Sequence, residues 1–378
     1  MALHKTNLPT NKEKNGNALR LENFIGFNSL NPLLYEIRLY KAAIKVITAQ
    51  VKMCTKKNLI PDYVANIIFH ALDEILRDAQ NGNIGFLDQN NDVYQAIFSL
   101  LNQKIPEHTH FLFLAYSPLE HRSTALRIWL RDAIDDIDRS LQEVQFSLIE
   151  KAENHTKTII PSYINGQNAQ PTSLGYVLMS YVFMLGRDRN RMQELRKRVN
   201  RSPAGAYMGV GTSMDINRKS LARNLGFEGI IYNAMDAIND CDFVIEFLSS
   251  ASICTTHINK VAQEFFDWQH PSCKFIFFSS EMLSNDIILG QPRHPVALEK
   301  VRSRTSILNG HLNTILSMNK GGKACNSDDN REVVKPIIET HDILVDCLHD
   351  ISSLIKDFSV NKKRTKEEAQ CAEGFAPD

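Results

Sequence analysis

Apolar residues recur at three- and four-residue steps along much of this chain, which is the period of an amphipathic helix. Residues 34–57 carry the pattern, and so do 62–80, which end near the Asn-Gly-Asn turn at 81–83. The spacing predicts a long helix over 122–153, with charges at i to i+4 that suit one solvated face. It predicts another over 172–200, entered through Pro171. The segment RSPAGAYMGVGTSMD at 201–215 is small and glycine-rich and reads as a loop. A short helix follows at 218–225, a turn at 226–229, and then one helix from about 233 to 268. That helix is apolar on nearly every side in FVIEFLSSASIC, as helices buried in a bundle or an oligomer core are. Helices resume at 296–319 and 334–359, separated by the polar GGKACNSDDN. The tail KKRTKEEAQCAEGFAPD is expected to fray. Strand signals are confined to FLFLAY at 111–116 and KFIFF at 274–278.

The sum is an all-α protein. Helices of 25 to 35 residues span about 40–50 Å, and imply an elongated bundle that associates with copies of itself. Four regions are expected: a disordered tail over 1–23, a small helical domain over 24–120, a central long-helix domain over 121–359, and a frayed tail over 360–378.

Composition narrows the function classes. The 378 residues hold 43 Lys plus Arg against 43 Asp plus Glu, so no net charge draws nucleic acid or an anionic membrane. No apolar run reaches the length of a transmembrane helix, and the polar first twenty residues do not read as a secretory signal. Seven cysteines, an odd count with no C-x-x-C, suit reduced thiols in a cytoplasm-like compartment. His108 and His110 lie two apart with no further partner at ligand spacing. A closed zinc site needs about four ligands, so they read as solvated loop histidines and no metal is expected.

Four segments carry a family likeness: PSYINGQNAQP at 161–171, LRIWLRD at 126–132, RVNRSPAGAYMGVGTSMDINR at 198–218 and LGFEGIIYNAMDAINDCDFVIEFL at 225–248. In order and spacing they resemble the argininosuccinate lyases of the fumarase/aspartase superfamily, with likeness running from about 24 to 376. The resemblance implies a cytoplasmic homotetramer with five long helices per subunit and active sites built from three subunits. It also implies no metal or organic cofactor, and a β-elimination that splits argininosuccinate into arginine and fumarate. Where the family writes PGYTHLQxAQP, this chain keeps Pro161, Tyr163, Gln167 and Ala169-Gln170-Pro171, but the threonine-histidine pair has become Ile164-Asn165. An asparagine amide cannot take up a proton near neutral pH, whereas an imidazole can.

The elimination needs a base, stabilisers for negative charge building on a carboxylate, and an acid for the leaving nitrogen. By resemblance the family's base serine falls on Asp286 and the next serine on Ile287. Its two lysines fall on Pro292 and Arg293, and its asparagine on His294. Glu299 matches the glutamate that orients the catalytic histidine, which here is Asn165. The substrate motif SRND becomes Ser117-Pro118-Leu119-Glu120, without its arginine and asparagine. An early serine becomes Ile47, and a tyrosine, a basic residue and a glutamine fall on Cys325, Ser327 and Asn330. His155, Thr158, Tyr163, Gln167, Asn233 and Asp236 match. Gly205, Gly209 and Gly211 follow no strand and do not fit a dinucleotide motif, so they read as a tight turn near the substrate. The chain stops at GFAPD, where a similar stretch opens a further C-terminal domain in the family, so that domain is expected to be absent.

The pattern implies a lyase scaffold that has lost argininosuccinate cleavage and serves a structural or regulatory role, as a homotetramer or in mixed oligomers with a related lyase. Two alternatives stand beside it. One is a carbon–nitrogen lyase acting on another small molecule through Asp286 as base, Arg293 as anion clamp and His294 as acid. The other is residual argininosuccinate cleavage. Asn165 likewise has two readings, drift in a loop freed from chemical demand or an amide repurposed to orient a new substrate.

Overall fold

The computed structural model describes residues 33–81, 92–284, 295–320 and 332–370. Helix α1 (Leu33–Glu36) and a 3-10 turn lead into α2 (Tyr40–Lys56), followed by α3 (Asp62–Gln80) and α4 (Val93–Lys104). The apolar period does not mark α4, whose Asp92 caps it by accepting the Gln95 N–H. Five long helices then carry the molecule: α5 (Pro118–Asn154), α6 (Leu174–Val199), α9 (Asp242–Gln269), α10 (Val296–Met318) and α11 (Val334–Asp357). Between them lie the hairpin β1 (Ile159–Ile164) and β2 (Gln167–Ser173), the short pair β3 (Arg201–Ser202) and β4 (Gly229–Ile230), and helices α7 (Arg218–Asn224) and α8 (Ala234–Asn239).

Side-chain pairs fix the directions of the long helices. Asp135 meets Arg196 and Asp138 meets Arg189, so α5 and α6 run antiparallel. Asp188 meets His257 at 2.7 Å and Arg198 meets Glu246, so α9 opposes α6 and runs with α5. Ser147 meets Ser352 at 3.1 Å and Lys151 donates to the Phe358 carbonyl at 2.8 Å, so α11 also runs with α5. Lys300 pairs with Asp350 and Arg304 with Asp346, which turns α10 the other way. One apolar core fills the space between these helices, with Leu141, Met192, Phe247, Phe265 and Leu348 fully enclosed. A second buries Ile47, Val51, Ile68 and Leu101 among α2 to α4 and the start of α5.

The structure corrects four expectations. FLFLAY is not a strand: Thr109–Phe113 forms a 3-10 turn whose end is held by the Gln50 side chain on the Leu112 and Leu114 carbonyls. A strand needs a partner ladder, and here a side chain satisfies those carbonyls instead. The helix expected from 233 to 268 breaks at Asp240-Cys241. Asp240 is extended, accepts the Asp242 N–H and pairs with Arg127, so its carboxylate serves the junction rather than a helix interior. The segment 161–171 is a hairpin rather than a loop. The tail does not fray through its first residues, since α12 (Lys362–Gln370) packs on that hairpin with Thr365 and Ala369 buried. Of the KFIFF run, Ile276–Phe277 does pair, antiparallel with Ser359–Val360.

Gly175 marks where α6 crosses the end of α5. A Cβ there would stand 2.7 Å from the Ala152 carbonyl oxygen and 3.2 Å from the Thr156 Cα, both backbone atoms that cannot swing aside. Gly175→Ala is therefore expected to cost about 1–3 kcal/mol, read as a lowered urea midpoint with an unchanged slope.

Candidate functional site

The predicted site residues divide between the two ends of α5, which at 37 residues is about 55 Å long. At its N-terminal end Ser117 is fully buried, and its hydroxyl lies 3.4 Å from the Met208 sulfur. Pro118 takes the first helical position, where its missing N–H costs nothing. Leu119 packs with Ala206, Ala234, Ala237 and Ile238 in a small apolar cluster. Ile47 is equally enclosed. Of these positions Ser117 and Ile47 are enclosed, Leu119 is partly buried and Pro118 is exposed.

Glu120 is the exception. It is 1% exposed, and its carboxylate accepts the Tyr207 N–H from the glycine-rich loop. Burial pushes its carboxyl up to about 7, against the amides of Tyr207, Gly205 and Ala206 and the charge of Arg218, which favour the ionised form. Arg218 donates to the carbonyls of Ala204, Ile231 and Tyr232 and so holds the loop from its other side. Neighbouring His121 is wholly enclosed and held down at about 3, so it stays neutral. Sequence alone gives Glu120 and Arg218 no role. The available signal was a guanidinium at the end of the matching segment 198–218 and a carboxylate closing the Ser117–Glu120 stretch.

Asn233 and Asp236 belong to this end. The Asn233 side chain accepts the Asp236 N–H and caps α8, while both residues are exposed. A cavity of about 30 Å³ lies beneath, between Tyr94, Arg122, Asp240 and Phe243. It has room for a water or two rather than a substrate.

The other set lies at the far end. Asn165 and Gly166 are the two central residues of the β1–β2 turn, at φ +54° and +77°. Two positive φ values define the turn that matches the twist of a hairpin, and Asn-Gly is its favoured dipeptide. Asn165 is exposed there, as is Gln167. Tyr163 is 45% exposed, and its phenol is pushed up to about 12 chiefly by partial burial. His155 Nδ1 lies 3.0 Å from Thr158 Oγ1 at the base of the hairpin. Glu299 stands in the first turn of α10, one residue before Lys300, which pairs with Asp350 near the C-terminal end of α5. Asp286, Ile287, Pro292, Arg293, His294, Cys325, Ser327 and Asn330 lie outside the described residues. Among the described residues no group of three or more His, Cys, Asp or Glu could hold a metal ion, and no helix is long and apolar enough to cross a membrane.

One chain thus brings Ser117, Asn233 and Asp236 to one end and Tyr163, Asn165, Gln167 and Glu299 to the other. An active site drawing on both sets needs more than one copy.

Comparisons with known proteins agree with this architecture. A lyase family profile matches residues 28–282. Argininosuccinate lyase of Ehrlichia ruminantium is 34% identical over 336 residues, covering 89% of this chain and 73% of the relative. That of Nitrosomonas eutropha is 33% identical, with the same coverage. Among solved structures, EDDS lyase in complex with formate superposes with a TM-score of 0.80 at 21% identity, over 88% of this chain and 65% of the other. Class II fumarase from Schistosoma mansoni gives 0.79 at 16% identity, over 93% and 82%. At such identities these structures speak for the fold alone. The chain spans about two thirds of the EDDS lyase it matches.

Proposed function

Since the chain belongs to the lyase family, among the argininosuccinate lyases of the fumarase/aspartase superfamily, we propose that it is a lyase scaffold in which cleavage of argininosuccinate has been lost. Its remaining role is structural or regulatory, in the cytoplasm, as a homotetramer or in mixed assemblies with an active relative. The observation that carries this reading is Asn165. By the family resemblance Asn165 stands where the family carries its proton-transferring histidine, and it is an amide set in a tight hairpin turn at positive φ. An amide neither gives nor takes a proton near neutral pH. Loss of a general acid or base alone commonly costs about 10²–10⁴ in rate. The buried Ile47 and the partly buried Leu119 support the same reading at the substrate end.

Assembly is supported by the division of the site residues between the two ends of α5 and by aromatic side chains left on the outside of the bundle. Tyr176 and Phe183, seven apart on one face of α6, are 74% and 68% exposed, and Phe146 on α5 is 69% exposed. A chain poor in one part of a shared site can still lend another part to a partner.

Purified chain mixed with argininosuccinate tests the reading through the ultraviolet absorbance of fumarate. No release above buffer is expected while an authentic lyase in the same assay turns over. Turnover within roughly ten-fold of that control would remove the proposal, because so small a deficit is less than one missing acid or base. Fumarate released instead from a different N-substituted aspartate, and lost in Asp286→Asn, would replace it with a carbon–nitrogen lyase of new specificity.

A further inference from the structure

The glycine-rich loop is held by two groups of opposite charge, Glu120 buried and Arg218 half-buried. Arg218 takes its carbonyls, donating to Ala204 at 3.2 Å and to Ile231 and Tyr232 across the loop mouth. Gly205 is obligatory beside it, since a Cβ would stand 2.6 Å from the Arg218 stem and φ is +80°. Glu120 takes the Tyr207 N–H, while the Ala206 N–H donates to the Pro203 carbonyl at 3.1 Å. Gly205 and Tyr207 are at positive φ, while Ala206 between them is not. Alternation of that kind turns successive N–H groups toward one point and makes an anion-binding concavity. The Glu120 carboxylate fills it, 1% exposed, on the Tyr207 N–H.

We propose that the turn around Tyr207 forms a carboxylate-binding cradle, built on the Tyr207 N–H, whose occupant in this chain is its own Glu120, an internal ligand that locks the loop 203–211 onto the start of α5. Ordinary packing does not account for the arrangement. A carboxylate moved out of water is costly unless donors surround it, and an apolar side chain would fill the same space without that cost. Tyr207 also adopts a left-handed backbone that non-glycine residues avoid, and its N–H is spent on the carboxylate. The neighbouring contacts point the same way: Ser117 against Met208, and Leu119 against Ala206. The consequence is a rigid loop whose tip carries Met208 and Val210, 54% and 81% exposed, into solvent. The inference stands without the lyase reading, and its test does not use turnover.

The test removes the ligand and returns it from solution. In full-length Glu120→Gly, amide hydrogen exchange over 203–211 should rise by roughly ten-fold or more above the wild type while the α5 and α9 amides stay protected. Acetate, added at a pH where it is ionised, should restore protection saturably, and chloride at equal ionic strength should not. Exchange unchanged in the variant, or restored equally by chloride, would overturn the proposal. Should the glycine variant lose protection throughout, Glu120→Gln serves in its place. It keeps an oxygen acceptor without the charge, and protection equal to the wild type in that variant would equally end the claim that a carboxylate is what the cradle holds.

Discussion

Replacing Arg127 with alanine is expected to destabilise the fold by about 3–5 kcal/mol, the range for breaking a buried charge pair by removing one partner. The guanidinium is 1% exposed, paired with Asp240, and 3.9 Å from the Phe243 ring centroid, with the Val199 carbonyl at 3.5 Å. Its loss would strand a partly buried carboxylate at the very residue where α8 gives way to α9, and leave a void the length of an arginine beside Phe243. Lysine should not rescue it. An ammonium is a point charge and cannot lie flat on the ring while reaching two oxygens. Urea unfolding of the wild type, Arg127→Ala and Arg127→Lys gives the measurement. A loss below about 1 kcal/mol in the alanine variant, within the range of exposed pairs, would show that the contact is not structural.

A second large effect should appear in the pH dependence of stability. Burial holds the folded Glu120 carboxyl at about 7, against 4.5 for the group in an ordinary environment. The folded state therefore binds the extra proton. The stabilisation from this group is fully present below about 4.5 and is lost as pH rises through about 7, an effect on the order of 3 kcal/mol. Arg218 does not change charge in that window; His121, held at about 3 in the fold, takes up a proton on unfolding below its ordinary 6.5 and adds a slope of opposite sign, which is common to wild type and variant and cancels in their difference. Comparing urea midpoints near pH 5 and pH 8, Glu120→Gln should lose about 2–3 kcal/mol of the wild type's pH dependence. Identical profiles for the two proteins would mean that the carboxylate titrates as it does in water.

The segments with the strongest family likeness turn out to carry the frame. LRIWLRD supplies Arg127 and also Arg131, which donates to Asn200 and to the carbonyls of Leu225 and Gly226. The block 198–218 supplies Arg218 and the cradle. These are buried or half-buried charges and left-handed turns, which tolerate little substitution because each polar group must find its one partner. Asn165-Gly166 is the dipeptide a tight hairpin turn favours, Ile47 is what a core favours, and Leu119 packs at the edge of a small apolar cluster. The proposed loss of argininosuccinate cleavage rests on these positions, and the fumarate assay decides it.

By itself the sequence determined the long helices, because a 3.6-residue apolar period sustained over 25 residues or more admits little else. It also determined the family, through ordered segments whose spacing is preserved. The turn at 165–166 was legible in principle, because Asn-Gly is the dipeptide a two-residue hairpin turn favours. Only the tertiary structure decided the rest. FLFLAY curls because Gln50, more than 60 residues earlier in the chain, takes its carbonyls. The helix expected over 233–268 breaks because Arg127 claims Asp240. Glu120 gained its role from amides 85 to 87 residues away, and the candidate site was divided by the length of α5. Local patterning sets what each segment can become. Which buried charge meets which partner depends on contacts between residues far apart in the chain, and no local period records them.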